Sequence, residues 1–212
     1  MPYFKNDIIN LLLIHIPKTG GTSLNYYFSK KYNIPLNKHS YYTDDIVNKK
    51  DFFKGVSLQH QMFVTLFNNQ NIFKIDWTNS SLKIITVVRN PYYRIISDLL
   101  WHGFIKENTD KNEVFNKIKW FITLRDIDNH NKPQNKFITF ENGTLIPNII
   151  IMKTETLTYD MILNGYDDFD LKDQSNKTTK DYMEFFNKDS ILLINDIYKK
   201  DFQMFQYTMV NP

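Results

Sequence analysis

The sequence predicts an α/β fold: a central, mostly parallel sheet flanked by helices in three layers. Three observations carry this. Short apolar runs at Leu11–Ile16, Ser81–Val88 and Ile149–Met152 read as strands covered on both faces. Each is followed by a glycine turn or a capping residue and then by helical spacing. The runs also alternate with helical segments, as parallel strands joined by crossovers do.

The first unit is the most informative. Leu11–Ile16 runs into Pro17-Lys18-Thr19-Gly20-Gly21-Thr22-Ser23. Gly20 and Gly21 lack a Cβ, so backbone N–H groups there can approach an anion closely. Thr22 or Ser23 is the expected cap of the next helix, whose Leu24, Tyr27, Phe28 and Lys31 recur at helical spacing. A helix start behind such a loop suits a phosphate, and Lys18 adds a full charge at its mouth. The order is not that of a nucleoside-triphosphate loop, in which the lysine follows the last glycine.

Residues 34–55 are polar and read as a surface loop with a short helix near Asp44–Lys50. Ser57-Leu58-Gln59-His60-Gln61-Met62 follows, ahead of a helix face made of Phe63, Leu66 and Phe67. The second strand, Ser81–Val88, enters Arg89-Asn90-Pro91. Asn90 suits the cap and Pro91 the first helical position. Arg89 falls at the carboxyl end of the strand, where open α/β sheets bind ligands. Ser97 lies about two helical turns on. Residues 104–128 read as an amphipathic insertion bearing Val114, Phe115, Ile118, Phe121 and Ile122, with Trp120 expected to pack. Asn129-His130-Asn131-Lys132-Pro133-Gln134 precedes the third strand, after which Glu155 opens a helix. Residues 165–181 are a polar loop, and a last helix spans about Lys188–Tyr198 with Asp189 or Ser190 as cap.

The bulk numbers bound the rest. The 212 residues suffice for one compact domain, 1–212, with no repeat or linker. A net charge of +3 is compatible with anionic ligands and too small to argue for nucleic acid. The absence of cysteine excludes disulfides and thiolate metal sites. No run approaches the length of a membrane span, and the apolar run at Ile8–Ile16 lacks a cleavage site, so no signal peptide or anchor is visible: either the chain is soluble or an anchor lies outside this sequence, and the compartment stays open.

The order Pro17-Lys18-Thr19-Gly20-Gly21-Thr22-Ser23 resembles the 5′-phosphosulfate loop of sulfotransferases that use 3′-phosphoadenosine 5′-phosphosulfate (PAPS). The branch it resembles most is the carbohydrate one, with the heparan and chondroitin enzymes. The segment from Arg89 to Ser97 resembles that family's 3′-phosphate motif, and His130-x-x-Pro133-Gln134 and Glu155-x-Leu157 resemble further elements of its chondroitin-type members. The resemblance implies a P-loop-like fold and transfer of a sulfuryl group to a sugar hydroxyl. It makes Pro17 to Ser23 the 5′ site and Arg89 and Ser97 the 3′-phosphate ligands, with Lys177 and Thr178 near the nucleotide. It also makes His60 the general base and His130 a second candidate. Imidazole suits that role at neutral pH. No metal is expected to be required, and the sequence shows no ligand cluster. Other readings are a P-loop kinase, a non-catalytic nucleotide-binding relative, and sulfation of tyrosine or a small alcohol. The strand ending in Arg89 instead of Asp weighs against the kinase.

Overall fold

The computed structural model describes residues 2–35, 56–125, 127–170 and 181–212. The expected helix near Asp44–Lys50, and Lys177 and Thr178, lie outside them. The sheet has four strands in the order β1 (Tyr3–Lys5), β2 (Asn10–Ile14), β3 (Lys83–Val88), β4 (Ile149–Lys153). β2, β3 and β4 are parallel, as expected, with Leu11 opposite Lys83 and Ile84 opposite Ile149. β1 is an antiparallel edge strand paired Tyr3 to Leu12.

Alternation along the strands sends side chains to two faces. Leu11, Leu13, Ile85, Val87 and Met152 pack with Leu24 and Phe28 of α1 (Gly21–Tyr32). Leu12, Ile14 and Val88 pack the other way, against Phe63 and Leu66 of α2 (Phe63–Asn68) and Phe73 of α3 (Gln70–Phe73). Three layers result. A separate apolar cluster joins α4 (Pro91–Trp101) and α5 (Lys111–Phe121) to the chain's last two helices. It holds Ile95, Ile96, Leu99, Val114, Ile118 and Phe121. α6 (Leu157–Leu163) follows β4 after a 3-10 turn at Thr154–Thr156, and α7 (Lys188–Ile197) and α8 (Lys199–Phe205) end the described helices.

Asn90 caps α4, accepting from Tyr92 N–H, with Pro91 in the first turn as expected. Two caps differ from expectation. α7 is capped by Asn187, which accepts from Ser190 N–H, and not by Asp189 or Ser190. α1 starts at Gly21 with Gly20 as cap and no side-chain cap bond, so Thr22 and Ser23 belong to its first turn. β2 and β3 are parallel neighbours, so the glycine loop and Arg89 leave the sheet at the same edge.

Candidate active site

The loop after β2 is pinned through its carbonyls. Thr19 Oγ1 donates to Ile16 O at 2.9 Å, and Arg94 Nε to Pro17 O at 3.0 Å. Arg89 Nη1 donates to Lys18 O at 3.3 Å, and Thr154 Oγ1 to Thr19 O at 2.6 Å. The C=O and N–H of a trans peptide point in opposite directions. Holding these carbonyls against the protein body therefore turns the following amides to the loop's open side. The backbone is left-handed at Lys18 (φ 63°) and Gly20 (φ 97°). For lysine that conformation costs about 1–2 kcal/mol, which the pinned carbonyls sustain. A Cβ on Gly21 would lie 2.2 Å from His15 Cδ2, so only glycine fits beneath that ring.

Helix α4 faces two ways. Its inner face carries Arg94 and Asp98, one turn apart and 2% and 1% exposed. Besides Pro17, Arg94 donates from Nη1 to Lys132 O and from Nη2 to His130 O, both at 2.7 Å. One guanidinium thus fastens the glycine loop to the turn bearing His130. The outer stripe is Tyr93, Ser97, Trp101 at i, i+4, i+8. Arg89 lies at the head of this stripe: its guanidinium is 5.2 Å from the Tyr182 ring, which also touches Tyr93. Its backbone is held by Gln134, whose Oε1 accepts from Arg89 N–H and whose Nε2 donates to Arg89 O. At the other end Lys18 Nζ sits 5.1 Å from the Trp101 ring. Burial lowers the Lys18 pKa; Asp98 works against this and Arg89 with it.

Beyond Trp101 four histidines stand in a row. Ring centroids are 5.1 Å apart for His15 and His60, 4.9 Å for His60 and His130, and 5.1 Å for His130 and His102. Two of them are backed by carboxylates. His60 Nδ1 is 2.7 Å from Asp128 Oδ2, and His130 Nδ1 is 2.6 Å from Asp98 Oδ1. Each pairing fixes the ring and leaves Nε2 as the working nitrogen. Burial pushes the His60 pKa below the usual value, and the Asp128 carboxylate draws it only part of the way back. Burial alone would raise Asp128; the bonds from His60 and Ser57 overcome it and hold the carboxyl below its ordinary value. Trp101 stacks on His130, centroids 5.3 Å apart and planes 13° apart. A cavity of about 600 Å³ opens there, lined by Trp101, His102, Phe104, Arg125, Asp128 and His130, among others.

The structure thus brings together Lys18, Arg89, His60 and His130, which the sequence singles out separately. Pro17 and Thr19 serve the loop by their carbonyls, Gly20 by its φ, and Ser97 lies on the outer stripe between the two cations. Sequence reasoning misses Asp98, Asp128, Arg94, Trp101 and His102. Arg94, Asp98 and His102 follow one another at four-residue steps, which marks a shared helical face but no role for it. Residues 60, 128 and 130 also lie close enough together to hold an ion, a grouping that their spacing in the chain hides.

The glycine loop at the strand ends thus has two cations on one side and carboxylate-backed imidazoles on the other. A model of the sulfotransferase family matches residues 2–208, and the chain belongs to that family. No curated protein and no solved structure gives a match. No described helix is long and apolar enough to cross a membrane.

Proposed function

We propose that this protein, as one P-loop-like domain over residues 1–212, moves a sulfuryl group from PAPS to a hydroxyl of a carbohydrate acceptor. One observation carries the reading. Lys18 and Arg89 meet at the pinned loop, and no ion pair with a carboxylate joins either of them among the described residues. Across Trp101 stand two imidazoles with carboxylates behind them.

The site fits a doubly phosphorylated adenosine. The amides of Lys18 to Gly20 and the first turn of α1 suit the 5′ end. Arg89, with its planar fork of donors, and Ser97 suit the 3′-phosphate. On this reading Lys18 and the loop amides meet the negative charge that grows on the leaving phosphate oxygen. His60 takes the acceptor proton, with Asp128 holding the resulting imidazolium; His130–Asp98 is the second candidate pair. The S–O bond to phosphate breaks as the bond to the acceptor oxygen forms, and 3′,5′-ADP is released. The aromatic floor of the cavity, Trp101 and Phe104, offers a flat face to a sugar ring, which supports a glycan acceptor.

The test is mass spectrometry of a glycan panel incubated with PAPS and the protein. A sulfate-sized gain on a glycan, lost in His60→Ala or His130→Ala, is expected. Tight binding of 3′,5′-ADP with no gain on any glycan, tyrosine peptide or alcohol would sink the catalytic reading and leave a nucleotide binder.

A further inference from the structure

The chain has five histidines, and four of them stand in the row beside Trp101. Within that row, one donor atom from each of His60, Asp128 and His130 lies within 4.8 Å of the other two. We propose that these three side chains bind one divalent transition-metal ion of the zinc class at the inner wall of the cavity.

The donor chemistry selects the ion. Two imidazoles and a carboxylate, with a fourth position left for water, form a set that Zn²⁺ and Co²⁺ take readily. Magnesium and calcium prefer all-oxygen surroundings and fit it poorly. An outer sphere is already in place. Ser57 donates its N–H to Asp128 Oδ1 at 2.5 Å and its hydroxyl to Asp128 Oδ2 at 2.8 Å. Asp98, itself sealed from solvent, holds His130 Nδ1 and so orients the other nitrogen.

Access and charge agree. Asp128 and His130 line the cavity, which gives an ion a path inward. Asp98 and Asp128 bring two negative charges to the cluster, while the opposing ammonium of Lys18 is drawn to Trp101. His60 Nδ1 and Asp128 Oδ2 lie 2.7 Å apart, and parting them to about 3.3 Å gives the spacing of two ligands on a tetrahedral ion. The ion takes the place of the proton between them, which is released on binding. A second grouping, Asp98, His102 and His130, shares His130. Its carboxylate is 1% exposed and does not line the cavity, whereas Asp128 does, so the Asp128 grouping is the site.

Binding does not depend on the transfer reaction. If that reading holds, the ion occupies both candidate bases and opposes turnover. The experiment therefore reads binding: the full, tag-free, metal-free chain is titrated with Co²⁺ alone and followed by its visible d–d bands, then back-titrated with Zn²⁺. One equivalent with the intense bands of four-coordinate cobalt, displaced by Zn²⁺, is expected. His60→Gln and Asp128→Asn should each weaken binding by more than about tenfold, since even an outer-sphere loss reaches that size. His102→Gln should bind as the wild type does. Circular dichroism checks each variant; should His60→Gln fail to fold, Asp128→Asn carries the test. No bands, or only weak binding of several equivalents, overturns the proposal. So does loss of the site in His102→Gln with retention in His60→Gln.

Discussion

The glycine loop and the histidine row face each other across Trp101 and are built in opposite ways. The loop is a run of consecutive residues, Pro17 to Gly21, with its carbonyls gripped by Thr19 itself and by Arg89, Arg94 and Thr154 from elsewhere in the fold. The row is assembled from a distance: His60 meets Asp128 68 positions along the chain, and His130 meets Asp98 across 32. The loop's chemistry sits in adjacent residues, although three of its four pinning bonds arrive from the scaffold. The row's chemistry is dispersed and depends on the whole sheet and helix scaffold staying in register. Arg94 joins the two, with one nitrogen on Pro17 and the others on the turn that carries His130.

Arg94 is accordingly where the comparison breaks first. Arg94→Met strips two buried carbonyls, Pro17 and His130, and the part-buried one of Lys132 of their donor, at about 1–3 kcal/mol for each buried group. A loss of several kcal/mol in urea unfolding is expected; an unchanged midpoint would mean that loop and row are held together by something else. Next come the two cations. Lys18→Ala should lower turnover by about 10²–10³, the effect of removing one charge-stabilising donor. Arg89→Ala should act on 3′,5′-ADP affinity instead, by about 1.5–3 kcal/mol, measured calorimetrically. The reverse pattern would exchange their roles.

Gly21→Ala probes the seam, because the new Cβ meets the His15 ring. Overpacking of this kind costs about 1–3 kcal/mol. A lowered melting temperature is expected, and an unchanged one would show that the ring swings aside freely. The smallest effect concerns pH. Burial holds His15, His60 and His102 below the ordinary histidine value of 6.5. Below pH 6.5 the unfolded chain therefore binds protons that the native state refuses. Stability should be full above 6.5 and fall as pH drops beneath it. The acid limb of kcat/KM should lie below 6.5 as well. Asp128→Asn removes the carboxylate that raises the His60 value, so it should move that limb lower still while slowing the reaction.

What could be read from the sequence follows the same division. The strand, glycine turn and helix from Leu11 to Phe28, and the Asn90–Pro91 start of α4, are written in adjacent residues. Local chemistry suffices to find them. Caps are less certain where several capping types adjoin, as in Asn187-Lys188-Asp189-Ser190, where the buried stripe of α7 settles the register. β1 is only three residues long, too short for a period of two to show. The carboxylates behind the histidines carry no local mark, because an aspartate at position 98 or 128 reads as ordinary helix or loop polarity until tertiary packing seals it. Arg94 likewise reads as a solvated helix residue until its three carbonyl partners are in place.

Trp101 is more than half exposed, yet it touches the Lys18 ammonium on one hand and the His130 imidazole on the other. An indole so placed is a built-in optical probe. Filling either compartment alters the charge or solvent around the same chromophore, so its emission would register a ligand bound on either side without an added dye. Mutating Trp77 and Trp120 to phenylalanine would isolate that signal and let the order of loading be timed directly.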